Sequence, residues 1–168
     1  MYKLFVGRKK KGSKHDSTIQ IYHNIEFPLN DIIDIFYPIF GQYYRYEDLV
    51  NMIYSVPHIF CAYDIRQGQC VGCALVDNVS NSGGLYLMLF GVHESYQGHG
   101  VGTQLLKNII RWAYRIGHTF IHLHVHVLNH KAMGLYEKVG FKKYEYLPNY
   151  YGNLPKRPPH AFRMVLPL

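Results

Sequence analysis

The apolar positions of this chain fall into two rhythms, and each change of rhythm marks an element. Thr18-Ile19-Gln20-Ile21-Tyr22 alternates and predicts a first strand. Asn30-Asp31 can cap a short helix over Ile32 to Tyr37, which Pro38 stops. Glu47 to Ile53 predicts a second helix, ended before Pro57. Ile59 to Tyr63 and Gln69 to Val76 read as strands joined by the turn Asp64 to Gly68, a hairpin. Leu85 to Val92 has few polar residues, as a central strand covered on both faces should. Leu105, Leu106, Ile109, Ile110 and Ala113 then recur at helical spacing and predict a long helix from Val101 to Ile116, with Gly117 as its stop. Phe120 to Leu128 returns to strict alternation, with Ile121, Leu123, Val125 and Val127 on one face and His122, His124 and His126 on the other. Ala132 to Lys138 predicts a short helix, Phe141 to Tyr146 a strand, and Ala161 to Leu166 a last strand after a Pro/Gly/Tyr loop. No internal repeat is visible. The expected organisation is a basic, mobile segment over 1–17 and one mixed α/β domain over 18–168.

Between the central strand and the long helix lies Gly91-Val92-His93-Glu94-Ser95-Tyr96-Gln97-Gly98-His99-Gly100-Val101-Gly102-Thr103. Strand, glycine-rich turn and helix together make an anion cradle. Backbone N–H groups converge there, backed by the positive end of the helix dipole. Glycine lets a diphosphate approach where a Cβ would collide. A plain tight connection between strand and helix has the same pattern, so the turn needs support from the rest of the chain.

Composition changes this picture only in places. The chain has 168 residues, enough for a substantial core, and 48% are hydrophobic. There are 16 tyrosines, some of which suit a groove where a ring supplies area and a hydroxyl together; a compositional bias of the sequence would look the same. The net charge of +7 is concentrated in part in Arg8-Lys9-Lys10-Lys11 and Lys14, read as a solvated tail. No apolar run is long enough for a membrane span or a signal peptide. Cys70 and Cys73 form a Cys-x-x-Cys inside a strand-like run rather than at a helix N-terminus. All three cysteines are therefore expected to be reduced strand residues of an intracellular protein. The expected location is cytoplasmic, with the nucleus as the alternative.

Gln97-x-x-Gly100-x-Gly102, after a strand and before a helix, resembles the acetyl-CoA motif of the GCN5-related N-acetyltransferase superfamily. A second block, Asn129-x-x-Ala132-x-x-x-Tyr136-x-x-x-Gly140-Phe141, follows the next strand as it often does in that superfamily. The missing parallel βαβ repeat disfavours a nucleotide-binding fold of the doubly wound kind. The resemblance implies a mostly antiparallel, twisted sheet of about seven strands with about four helices, splayed between the fourth and fifth strands. His122-Leu123-His124-Val125, Tyr146-Leu147-Pro148-Asn149-Tyr150-Tyr151 and Phe36-Tyr37-Pro38-Ile39 with Tyr46 and Asp48 are further similar to N-terminal acetyltransferases acting on methionine-starting chains. One departure is Gly41, where a tyrosine often follows the Pro-Ile pair; Tyr43 and Tyr44 are the candidates to replace it. Some members carry a membrane anchor after the last strand; none is expected here, with Leu168 as the last residue.

The resemblance also assigns a site. Gln97, Gly98, His99, Gly100, Val101, Gly102 and Thr103 would hold the diphosphate of acetyl-CoA. Phe90, Gly91 and Val92 would bond its pantetheine, with the N–H near Val92 as oxyanion donor. Asn129 and Tyr136 would touch the far end of the donor, Tyr136 either packing on the sulfur or protonating it. Tyr86 and His124 would be the catalytic pair. A histidine suits a base at neutral pH, and Tyr86 would act through water or a lowered pKa. Tyr37, Pro38, Ile39 and Met88 would form the pocket for the first side chain, and Tyr150 and Tyr151 would close over the acceptor. No metal is expected, because histidines two apart on a strand stand about 7 Å from each other, too far for a compact tripod. Protein N-termini are the expected partners, with a larger acetyltransferase complex or the ribosome as further ones; nucleic acid is not expected. Two alternatives stand beside this reading. One is acetylation of a lysine side chain or a small amine. The other, from a different class, is an acetyl-CoA-binding docking subunit without catalysis.

Overall fold

The computed structural model of the protein describes residues 18–152 and 158–168. The basic segment over 1–17 lies outside them, as does 153–157 of the Pro/Gly/Tyr loop. Among the described residues seven strands form one sheet in the order β1-β2-β3-β4-β5-β7-β6. The strands are β1 (Ile19–His23), β2 (His58–Asp64), β3 (Gln69–Val79), β4 (Gly84–Val92), β5 (Phe120–His126), β6 (Lys142–Leu147) and β7 (Ala161–Pro167). The helices are α1 (Leu29–Phe40), α2 (Tyr46–Ser55), α3 (Val101–Arg115) and α4 (His130–Lys138). All pairings are antiparallel except β4 with β5. α1 and α2 cover one face of the sheet, α3 and α4 the other.

α3 shows why the two rhythms differ. Leu105, Leu106, Ile109 and Ala113 are fully buried against β2–β5, while Lys107 and Arg111 on the far side are exposed. Burial of each large apolar chain contributes about 1.5–3 kcal/mol. The helix stops where expected: Gly117 takes φ +91°, and the His118 N–H turns back to the Ala113 carbonyl. The three cysteines are free and buried, two of them (Cys61 and Cys73) facing each other across β2 and β3.

α1 corrects the prediction at both ends. It starts at Leu29 behind Pro28 rather than after an Asn30-Asp31 cap, and it runs through Pro38 to Phe40. A proline costs the bond to the carbonyl four residues back. Here the turn is held on both sides of it. Ile32, Ile33, Ile35 and Phe36 are buried, and the Gly41 N–H closes the helix onto the Tyr37 carbonyl. Packing outweighs the missing bond.

Two features of β4 position everything that follows. Its pairing with β5 covers only Gly84–Phe120, Leu85–Ile121 and Tyr86–His122. β5 pairs with β7 along its whole length but with β4 only over these three positions, so the sheet forks after Tyr86. Facing β3, the register passes from Val76–Leu87 to Leu75–Leu89, which leaves Met88 as an extra residue. Such a bulge bends a strand and re-aims its side chains. Leu85 and Leu87 pack under α3, whereas Leu89 packs under α1.

Candidate active site

A cleft of about 640 Å³ occupies the fork between β4 and β5. Its inner end is the glycine turn. Gly98 and Gly100 take φ +79° and +84°, a region L side chains rarely adopt, and open space stands where their Cβ atoms would be. α3 begins at Val101, and its first internal bond runs from the Gln104 N–H to the Gly100 carbonyl. The amides of Val101, Gly102 and Thr103 thus have no acceptor within the helix. This donor set and the dipole behind it fit the diphosphate of the acetyl-CoA that the resemblance implies. Gly91 has a different reason to be glycine: a Cβ there would stand 2.8 Å from Ile39 Cδ1 of α1.

Gln97 is not aimed at that cradle as a phosphate ligand. Its Nε2 donates to the Val92 carbonyl at 2.9 Å, and its Oε1 accepts from Lys131 Nζ at 2.6 Å. The side chain ties the end of β4 to the first turn of α4, the two walls of the cleft. Asn129 lines the cleft and caps α4, its Oδ1 accepting from the Ala132 N–H at 3.2 Å. Tyr136 also lines it and packs edge-on against Phe90. Burial pushes the Tyr136 phenol well above its ordinary range, so it stays protonated.

The apex of the fork brings three side chains from distant parts of the chain onto one nitrogen. His124 Nδ1 lies 3.2 Å from the Tyr86 hydroxyl and 3.0 Å from the Tyr150 hydroxyl. Two hydroxyls thus share one ring nitrogen, which accepts or donates according to the tautomer of the imidazole. Tyr150 stacks on the His124 ring at 4.5 Å, and Tyr86 stacks on His122 at 4.8 Å. His124 is held below the ordinary histidine value, first by burial and then by Arg163, with Glu145 opposing. It is neutral at pH 7 and able to accept a proton. Tyr86 is pushed up, first by burial and then by Tyr150. That direction is opposite to the lowered pKa that would make Tyr86 a base itself; its hydroxyl stays protonated at pH 7.

The outer histidines have other duties. His126 is buried; its Nδ1 accepts from the Leu128 N–H at 3.1 Å and its Nε2 donates to the Pro158 carbonyl at 2.6 Å. His122 is held down to about 4 by burial and by Arg163, and its Nδ1 is buried without a hydrogen-bond partner among the described residues. Among the described residues no group of three His, Cys, Asp or Glu is placed to hold a metal ion.

Most of the residues expected at the site line this cleft: Tyr86, Met88, Phe90, Gly91, Val92, Gln97, Gly98, Gly100, Gly102, Thr103, His124, Asn129, Tyr136, Ile39, Tyr150 and Tyr151. Four stand apart. Val101 is buried in a small cluster with Ala62 and Val71, and His99 turns its Nδ1 to the Gln97 carbonyl. Tyr37 and Pro38 are exposed on α1, Tyr37 packed against Tyr46. With α1 continued to Phe40, the outer wall is made by Ile39, Phe40, Tyr43 and Tyr44 instead. Both tyrosines offered in place of Gly41 are present. Lys131 and Lys138 of α4 also line the cleft and carry no motif that would have singled them out.

The family model described as acetyltransferase (GNAT) family matches residues 27–141. N-alpha-acetyltransferase 50 of Danio rerio is 29% identical over 146 residues, covering 86% of this chain and 84% of that protein. N-alpha-acetyltransferase MAK3 of Arabidopsis thaliana is 30% identical over 113 residues, 66% of this chain and 56% of that one. Among solved structures, Ard1 from Thermoplasma volcanium superposes with TM-score 0.75 at 24% identity, over 90% of this chain and 99% of its own. Arabidopsis thaliana Naa50 in complex with the bisubstrate analogue CoA-Ac-MVNAL superposes with TM-score 0.71 at 22% identity, over 89% and 99%. At these identities the structural likeness speaks for the fold.

Proposed function

The chain belongs to the acetyltransferase (GNAT) family and is an N-acetyltransferase, and on that premise we propose that it acetylates the free α-amino group of protein N-termini, methionine-starting ones first. The carrying observation is the meeting of Tyr86, His124 and Tyr150 at the apex of the fork, between a backbone-built cradle and a slot walled by Ile39, Phe40, Tyr43, Tyr44 and Met88. The relatives named N-alpha-acetyltransferase and the M-starting analogue held by Arabidopsis Naa50 support the same acceptor class.

Acetyl-CoA, when bound, supplies an acyl group on a thioester. The remaining work belongs to this chain. Amides at the start of α3 would hold the diphosphate, and the stretch of β4 from Leu87, unpaired on its β5 side, would offer backbone groups to the pantetheine. An α-amine has a pKa near 8, so a modest base suffices. His124 takes that proton; Tyr86 and Tyr150 hold the imidazole and the incoming nitrogen through their hydroxyls. Tyr136 lines the same cleft and, kept protonated by burial, would offer its hydroxyl to the donor. The aromatic and aliphatic wall fits an unbranched apolar first side chain, and no charged residue of that wall would pair with an acidic one.

The test is a peptide library with free and blocked N-termini, incubated with acetyl-CoA. Free Met-starting peptides should be acetylated at the α-amine and blocked peptides not at all. Acetylation of blocked peptides at lysine would overturn the reading. No specific observation favours the non-catalytic docking alternative. A cytoplasmic location and a partner complex belong to the same proposal.

A further inference from the structure

β5, β7 and β6 run side by side, and their register puts three polar residues in one row. His124 stands opposite Arg163 across the β5–β7 ladder, and Arg163 stands opposite Glu145 across the β6–β7 ladder. Directly opposed residues point to the same face of a sheet. Arg163 and Glu145 therefore share the face on which His124 meets the acceptor. Arg163 is held in place there: its Nη1 lies 3.8 Å from Glu145 Oε2, and its guanidinium sits over the Tyr144 ring at 5.3 Å. The other groups around His124 are Tyr86 from β4, His122 from its own strand and Tyr150 from the segment after β6, with Tyr44 from the α1–α2 segment acting on Tyr86. Tyr86 and Tyr44 are pushed up and His122 down by burial, so these three are neutral at pH 7. Among the described residues, the full charges acting on His124 are a cation one strand away and an anion two strands away.

We propose that Arg163 and Glu145 are positioning residues for His124: the guanidinium keeps the imidazole uncharged between turnovers, and the carboxylate behind it steadies the imidazolium formed when the acceptor nitrogen gives up its proton. Arg163 is the nearer of the two charges, so its effect exceeds that of Glu145, as the order of the influences on His124 also has it. Neither residue is among those that line the cleft. This inference rests on the role of His124 in the proposed function and adds the means by which that residue is kept ready. None of the sequence motifs includes Arg163, which arrives at the site only through strand pairing.

The experiment is an NMR titration of the full chain labelled at histidine, with H124Q identifying the His124 signal. The wild-type midpoint should lie below 6.5. R163Q should raise it by about half a unit to one unit, the scale of one charge at such a separation near the surface. E145Q should lower it by a few tenths, and R163K should restore the wild-type value. The shifts should shrink in about 0.5 M salt, which screens charge but not packing. A midpoint unmoved in both R163Q and E145Q, or moved with the opposite sign, overturns the inference. Glu145 is half-exposed, so E145Q decides the matter should R163Q fail to fold. The readout needs neither donor nor acceptor. Failure of the proposed function would instead appear as full activity of H124Q in the peptide assay.

Discussion

The two arms of the cleft are made of different materials. The inner arm is backbone: two glycines at positive φ, the first amides of α3, and the stretch of β4 left unpaired by the fork. The Gln97 side chain braces its walls. The outer arm is side chain: Ile39 and Phe40 from α1, Tyr43 and Tyr44 after it, Met88 at the bulge of β4, His124 from β5, and Tyr150 and Tyr151 after β6. A backbone site recognises what every donor of one kind has in common. A side-chain site can be re-lined without disturbing the sheet.

The comparison can be broken hardest at the apex. His124→Ala combined with Tyr86→Phe should lower kcat on a Met-starting peptide by about a hundredfold, within the range of lost general-base catalysis, with CoA affinity unchanged in calorimetry. Full activity of the double variant would remove both residues from the mechanism. Next in size is Gly100→Val. A β-branched residue at φ +84° is strained and its methyls enter the open space above the amides. CoA binding should weaken about tenfold or more, while the strands and the His124 cluster persist by NMR. Unchanged affinity would make the turn merely structural.

Acid sharpens the contrast with a smaller effect. His124 and His122 lie in the outer arm and both have depressed proton affinity, His122 at about 4. A depressed histidine is neutral in the native state, so stability and base function are present above about 6.5 and are lost as pH falls towards the native values. His23, stacked on Phe60 far from the cleft and also at about 4, adds to the same loss. From pH 7 to 5.5, kcat/KM should drop several-fold and the melting temperature by a few degrees. CoA affinity should change less than threefold. An equal loss of donor binding would show that the inner arm titrates as well.

Helix and strand identities were legible because burial imposes its period on the residues, as in α3 and β5. The glycine turn was legible because positive φ leaves few alternatives to glycine. Three things were not. The continuation of α1 through Pro38 depends on packing that no local rule contains, and it decides that Ile39 rather than Tyr37 lines the cleft. Tyr43 and Tyr44 could be offered as stand-ins for Gly41, but only the path of the chain after α1 brings both to the wall. Of the two routes expected for Tyr86, water or a lowered pKa, the second is reversed: burial first and then Tyr150 hold its proton more tightly.

By itself, then, the sequence determined the elements, their order and the donor cradle, since each follows from periodicity or backbone conformation within a few residues. The tertiary structure decided where the sheet forks, which tyrosines share the nitrogen of His124, and that Arg163 and Glu145 stand in its row. Those are contacts between residues tens of positions apart, set by strand register and by a single bulge at Met88, and local pattern carries no information about either.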